Sequence, residues 1–67
     1  MMTRSQFNAL ADLAGLRDSR ARQGAYLVLI EGAKQVTAAL AVGASQQAIS
    51  KAVRRIRETQ RSARLAV

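Results

Sequence analysis

The chain has 67 residues and contains neither cysteine nor histidine. Folds below roughly 70–80 residues are usually stabilised by disulfides, a bound metal, very regular helix packing or a partner chain. Without Cys or His, disulfides and zinc-type sites are excluded. The sequence therefore predicts a single domain, residues 1–67, that needs no cofactor or metal and depends on helix packing and self-association.

The composition favours helices over strands. Proline is absent, and hydrophobic residues make up 49% of the chain, as in globular proteins. Helix caps and apolar spacing predict an all-α fold, a small four-helix domain. The predicted helices run from a Thr3 cap to residue 14, from an Asp18-Ser19 cap to residue 30, over residues 35–41, and from a Ser45 cap to about residue 63.

One segment leaves an alternative open. Residues 26–30 (YLVLI) are apolar on all sides and partly β-branched, so they also fit a strand. A strand needs a partner strand, and the sequence offers no second one. A helix is therefore the prediction for this segment.

The positive charge is concentrated in the second half of the chain. The net charge is +7, of which residues 1–33 carry +1 and residues 34–67 carry +6. Nine of the eleven basic residues are arginine, which suits bidentate contacts with phosphate and guanine. A solvated basic helix face is the simpler explanation, but a polyanion that binds the second half is favoured.

Residues 35–54 match the requirements of a helix-turn-helix motif. Gly43 stands where the turn needs a left-handed backbone, and Ala39 stands where the two helices approach most closely. Ser45 can cap the second helix. The positions expected to face inward are all apolar, namely Ala38, Val42, Ala44, Ile49 and Ala52. An ordinary helical hairpin is the alternative.

The opposite side of the second helix of this motif carries hydrogen-bonding residues that can read base edges. They are Ser45, Gln46, Gln47, Ser50, Lys51 and Arg54. Gln pairs with adenine, and Lys and Arg pair with guanine, in the major groove. A basic ridge suited to phosphates follows, formed by Arg55, Arg57, Arg61 and Arg64. Any one of these residues alone also fits a solvated surface, so the prediction rests on the set.

The stretch from residue 43 to residue 56 (GASQQAISKAVRRI) resembles the turn and recognition helix of the TrfB-related, KorA-type plasmid repressors. Residues 5–7 (SQF) and Gly32 are also similar to that family, and the resemblance covers residues 3–59. It implies a helical, dimeric repressor that binds a palindromic operator in promoters for plasmid transfer or maintenance. It also implies DNA contacts from Gln46, Gln47, Ser50, Lys51, Arg54 and Arg55.

Two features depart from the pattern of that family. The family carries a separate C-terminal dimerisation region, and the 67 residues end before one could form. Lys51 stands where the family has Gln, so we expect a different operator sequence.

The dimer surface is expected on the second helix, at Tyr26, Leu27, Val28 and Ile30, with Phe7 and Leu10 contributing. Leu65 and Val67 in the tail are the alternative surface.

Other functional classes receive less support from the sequence. The four acidic residues are scattered, and there is no phosphate-binding glycine loop, so we expect no enzyme and no small-molecule substrate. A basic module for RNA or anionic membranes is the alternative, but Phe7 and Tyr26 are the only aromatic residues. No signal peptide or membrane-spanning segment is recognisable, so a cytoplasmic protein without a membrane partner is expected.

Overall fold

The computed structural model describes the backbone of residues 2–65 and the side chains of residues 2–63. It contains four helices, α1 (Arg4–Leu13), α2 (Arg20–Leu29), α3 (Gln35–Val42) and α4 (Gln46–Leu65). The described part of the chain has no strand. The predicted all-α fold is thus confirmed, each predicted helix end lies within two residues of the observed one, and the strand alternative for residues 26–30 is wrong.

Side-chain caps fix where three of the helices begin. At α1 the Gln6 backbone N–H donates to Thr3 Oγ1 (3.1 Å), and the Thr3 N–H donates to Gln6 Oε1 (2.8 Å). The hydroxyls of Ser19 and Ser45 accept from the backbone N–H three residues later, at 3.2 and 3.1 Å. Each cap satisfies backbone donors that the first helical turn leaves free. These contacts are local, which explains why the sequence located the helix starts.

The longest helix, α4, packs against each of the other three helices. Its buried side carries Ile49 and Ile56, which are fully enclosed, while Phe7 of α1 is 2% exposed. Most other core residues are alanines, so the helix backbones approach closely. None of the helices in residues 2–65 combines the length and the apolar character needed to cross a membrane.

The predicted role of Phe7 in a dimer surface is wrong. Its ring lies edge-to-face on Tyr26, with the centroids 5.3 Å apart, and is enclosed in the core of its own chain. Leu10 and the residues predicted for the dimer surface around α2 are half-buried against that core, namely Tyr26, Leu27, Val28 and Ile30. Among residues 2–63 the large apolar side chains that are exposed lie elsewhere, on Leu13 (73%), Val36 (47%) and Leu40 (81%), whereas Leu65 and Val67 of the alternative surface have side chains outside the described residues.

Gly24 permits the close approach of α2 to α4. A Cβ atom at this position would overlap Cδ1 of Ile49, and it would lie 3.1 Å from Ile49 Cγ1 and 3.4 Å from Val42 Cγ2. Glycine costs a helix interior about 1 kcal/mol relative to alanine. Glycine is nevertheless favoured here, because the Ile49 side chain occupies the space that a side chain at position 24 would need.

We expect Gly24→Ala to lower the free energy of unfolding by about 1–2 kcal/mol, since Ile49 is enclosed and cannot move aside freely. Ile49→Val removes Cδ1 and should cost about 0.5–1.5 kcal/mol alone. In the double variant the overlap with Cδ1 is gone and only the 3.1 Å contact with Cγ1 remains, so the loss should be smaller than the sum of the two single losses. Urea unfolding of the four proteins measures this coupling, and strictly additive losses would contradict the contact.

Candidate nucleic-acid interface

The turn between α3 and α4 has the geometry that the sequence predicted. Gly43 has φ +72° and ψ +36°, a left-handed conformation that glycine adopts without a Cβ penalty. Its N–H and that of Ala44 both donate to the Ala39 carbonyl, at 2.9 and 3.0 Å. Ala39 itself is only 6% exposed, as expected where two helices meet. The other positions expected to face inward are buried or half-buried, namely Ala38, Val42, Ala44, Ile49 and Ala52.

The outer side of α4 carries a straight polar stripe. Gln47, Lys51 and Arg54 are exposed and follow one another at i, i+4 and i+7, so they lie along one face. The same spacing continues to Glu58 and Arg61, which are also exposed. We call these five residues the α4 stripe. It lies on the side of the helix opposite to the buried isoleucines, which leaves it free for a ligand.

Three other predicted residues lie on the flank of α4 that faces the start of α3. Gln46 and Arg57 are exposed and Ser50 is half-buried, and helical spacing places all three beside the stripe. Ser45 is exposed and caps the helix through its hydroxyl. The side chain of Arg64 lies outside the described residues.

A shallow groove joins the α3-facing flank to α3. It is lined by Gln35, Ser50, Arg54, Arg57 and Arg61, together with Val53 and Glu58. Gln35 is the first residue of α3 and was not among the predicted site residues. No local pattern connects residue 35 with residues 50–61, since only the packing of α3 on α4 brings them together.

Arg55 points to the opposite flank of α4. Its Nη2 donates to the carbonyl oxygen of Ala14 at 2.6 Å, and its side chain lines a groove with Leu13. Ala14 is the C-cap of α1, where backbone carbonyls lack helical partners. The structure thus places Arg55 among the contacts that hold α1, apart from the α4 stripe.

A family profile described as TrfB plasmid transcriptional repressor matches residues 2–65. The chain belongs to this family. The match includes all four helices and the whole α4 stripe, and it confirms the resemblance stated from the sequence. Members of the TrfB family are plasmid transcriptional repressors, and membership of the family assigns the chain to this class of protein. No curated protein and no solved structure matches the chain significantly.

The left-handed turn of this TrfB-family chain yields a stability prediction. Gly43→Val should lower the free energy of unfolding by about 1–3 kcal/mol, because a β-branched residue is strained at positive φ. Space is not the obstacle, since a Cβ atom would lie 3.7 Å from Arg20 Nη1. Thermal or urea unfolding measures the loss.

Two matched variants isolate the conformational cause. Gly43→Asn should lose less stability, because Asn tolerates the left-handed region. Ala41→Val, on the exposed side of α3, should cost less than about 0.7 kcal/mol. If Val at position 43 were as harmless as Val at position 41, the assignment of this turn would be wrong.

Proposed function

We propose that this chain represses transcription by placing the first half of α4 in the major groove of a palindromic DNA operator. The observation that carries the proposal is the α4 stripe, which begins directly after the left-handed turn and is exposed along its length. In the helix-turn-helix arrangement, residues near the start of the second helix contact base edges.

The first half of the stripe has the chemistry to read bases. Gln47 can donate to N7 and accept from N6 of adenine in a bidentate pair, once its amide is oriented to do so. Lys51 and Arg54 can donate to O6 and N7 of guanine. Gln46, Ser50 and Ser45 lie close enough to add hydrogen bonds to neighbouring bases or to phosphate.

The second half of α4 lies too far along the helix for the same bases. A rise of 1.5 Å per residue separates Gln47 from Arg54 by about 10 Å and from Arg61 by about 21 Å. The major groove is about 12 Å wide. Gln47, Lys51 and Arg54 therefore fit within the groove, whereas Arg57 and Arg61 reach its phosphate edge and contribute affinity without sequence preference.

Dimerisation is proposed because the part of α4 that contacts bases is small. One recognition helix covers only a few base pairs, too few to define a unique site, so two copies at half-sites about 34 Å apart are needed. For a TrfB-family repressor, the regulated promoters are those of plasmid transfer or maintenance genes, which are read in the cytoplasm.

RNA and anionic membranes remain the competing partners of a basic surface. RNA loops and membrane interfaces are both commonly bound through exposed aromatic rings. Phe7 is enclosed in the core and the Tyr26 ring carries the Arg4 guanidinium, 5.9 Å from its centroid. Neither ring is available beside α4, which favours duplex DNA over these partners.

The operator is found first, by selecting bound duplexes from a random pool with the full chain. On the selected duplex, Lys51→Ala and Gln47→Ala should each weaken binding by about 1–3 kcal/mol and relax the preference at one or two base pairs. Arg61→Ala is the matched control, because its loss should be equal on selected and random duplexes. Titration by fluorescence anisotropy measures both.

The same titration includes single-stranded RNA and anionic vesicles. Preferential binding of either one over every duplex would overturn the proposal. Equal losses on selected and random DNA for Lys51→Ala would remove the assigned base contact while leaving DNA binding in place.

Light scattering tests the homodimer directly. We expect a dimer at micromolar concentration and a palindromic selected duplex bound by two copies. A monomer that fills the two half-sites independently, without cooperativity, would show that the dimer is not required.

A further inference from the structure

Arg20 is an arginine of the near-neutral first half of the chain that reaches the helix-turn-helix motif. It is the first residue of α2 and is exposed. Its Nη1 lies 3.5 Å from the carbonyl oxygen of Gly43, in the turn that precedes α4. The charge distribution predicted the binding face within residues 34–67, so Arg20 was not among the predicted contacts.

The charge of Arg20 is not neutralised by its contact. Two other arginines of the first half are engaged more fully. Arg22 forms a 2.8 Å ion pair with Asp12 and donates to the Leu16 carbonyl at 2.9 Å. Arg4 donates to the Tyr26 hydroxyl at 3.0 Å and lies against its ring. Arg20 has only a neutral carbonyl at the limit of hydrogen-bond distance, and within residues 2–63 no carboxylate lies within 4 Å of it.

The position of Arg20 relative to α4 follows from the turn. Gly43 precedes Gln46 by three residues, which places their Cα atoms at most about 11 Å apart. We call residues 46–54, which carry the proposed base contacts, the base-reading segment. The Arg20 guanidinium therefore lies beside the N-terminal end of this segment. Arg57 and Arg61 lie beyond the C-terminal end of that segment, on the α3-facing flank and the stripe. Positive charge thus stands at both ends of the segment.

A major groove has a phosphate backbone along each of its two edges. We infer that Arg20 binds a backbone phosphate at the edge of the groove opposite to the edge reached by Arg57 and Arg61. This inference rests on the proposed function, since it assumes that α4 enters the groove. Contacts with both edges fix the position of α4 in the groove along the direction of the helix axis. That position decides which bases face Gln47 and Lys51.

The test measures the salt dependence of binding by the full chain, on the selected operator and on a random duplex. Arg20→Gln keeps an N–H donor but has no charge, whereas Arg20→Lys keeps the charge. Arg4→Gln is the matched control, because it also removes one positive charge. Arg4 belongs to α1, and its guanidinium lies at Tyr26, about a turn and a half from Arg20 along α2. Melting temperatures of the free proteins accompany each titration.

One phosphate contact contributes about 0.9 to the slope of log K against log salt. Arg20→Gln should reduce the slope by about that amount for each bound copy and weaken binding about fivefold at 0.15 M salt, on both duplexes. Arg20→Lys should keep most of the affinity and slope. Arg4→Gln should leave the slope unchanged.

Three results would overturn the inference while the proposed function stands. The first is an unchanged slope for Arg20→Gln when the wild-type chain binds the operator normally. The second is a loss confined to the operator, which would indicate a base contact. The third is an equal loss in both Arg20 variants with lowered melting temperatures, which would indicate that the residue only supports the turn. A wild-type chain that binds no duplex would instead overturn the proposed function and the inference with it.

Discussion

The fold depends on the enclosure of Ile49 at the place where α2, α3 and α4 meet. Its side chain is fully buried and occupies the space beside Gly24, where any side chain on α2 would overlap it. Val42 of α3 borders the same space. In a chain without disulfides or metal-binding histidines, such close packing of small residues supplies the apolar contact that larger domains obtain from a larger core. This contact positions α4 against α2, and the turn at Gly43 connects α4 to α3.

The arginines are divided between two tasks, and their partners show the division. Arg22 and Arg55 donate to backbone carbonyls around the end of α1, where helical carbonyls lack partners. Both therefore stabilise the way α1 packs on the rest of the domain. Arg54, Arg57 and Arg61 are exposed and line a common groove with the start of α3. In our proposal these three arginines face DNA. The positive charge of the chain then forms a defined binding surface and is not spread over the whole molecule.

Membership of the TrfB plasmid transcriptional repressor family fits this arrangement. A repressor has to bind one site in preference to many others, and this requires base contacts in addition to phosphate contacts. The α4 stripe offers both kinds of residue along one helix face, with Gln47 and Lys51 near the turn and Arg61 further along. Lys51 lies on the exposed stripe, so in our proposal a substitution at this position changes which operator is bound without disturbing the core.

The sequence by itself determined the helices and the residues that form the α4 stripe. The helix caps and the turn form hydrogen bonds with backbone groups within about one helical turn, at Thr3, Ser19, Ser45 and Gly43. Because these contacts are local, they can be predicted without the tertiary structure. The α4 stripe was predictable for the same reason, since helical spacing alone places its residues on one face. The sequence did not indicate that Arg55 also donates to the Ala14 carbonyl, because that contact joins residues 41 positions apart.

The tertiary structure decided which side chains are free. Packing of α1 against α2 encloses Phe7, and packing of α1 against α4 brings Arg55 to the Ala14 carbonyl. Packing of α2 against α3 brings Arg20 to the Gly43 carbonyl, 23 residues away in sequence. These contacts join residues on different helices, and no periodicity within one segment encodes them. They depend on how closely the helix backbones approach, which is set by Gly24, Ala39 and the enclosed Ile49 together.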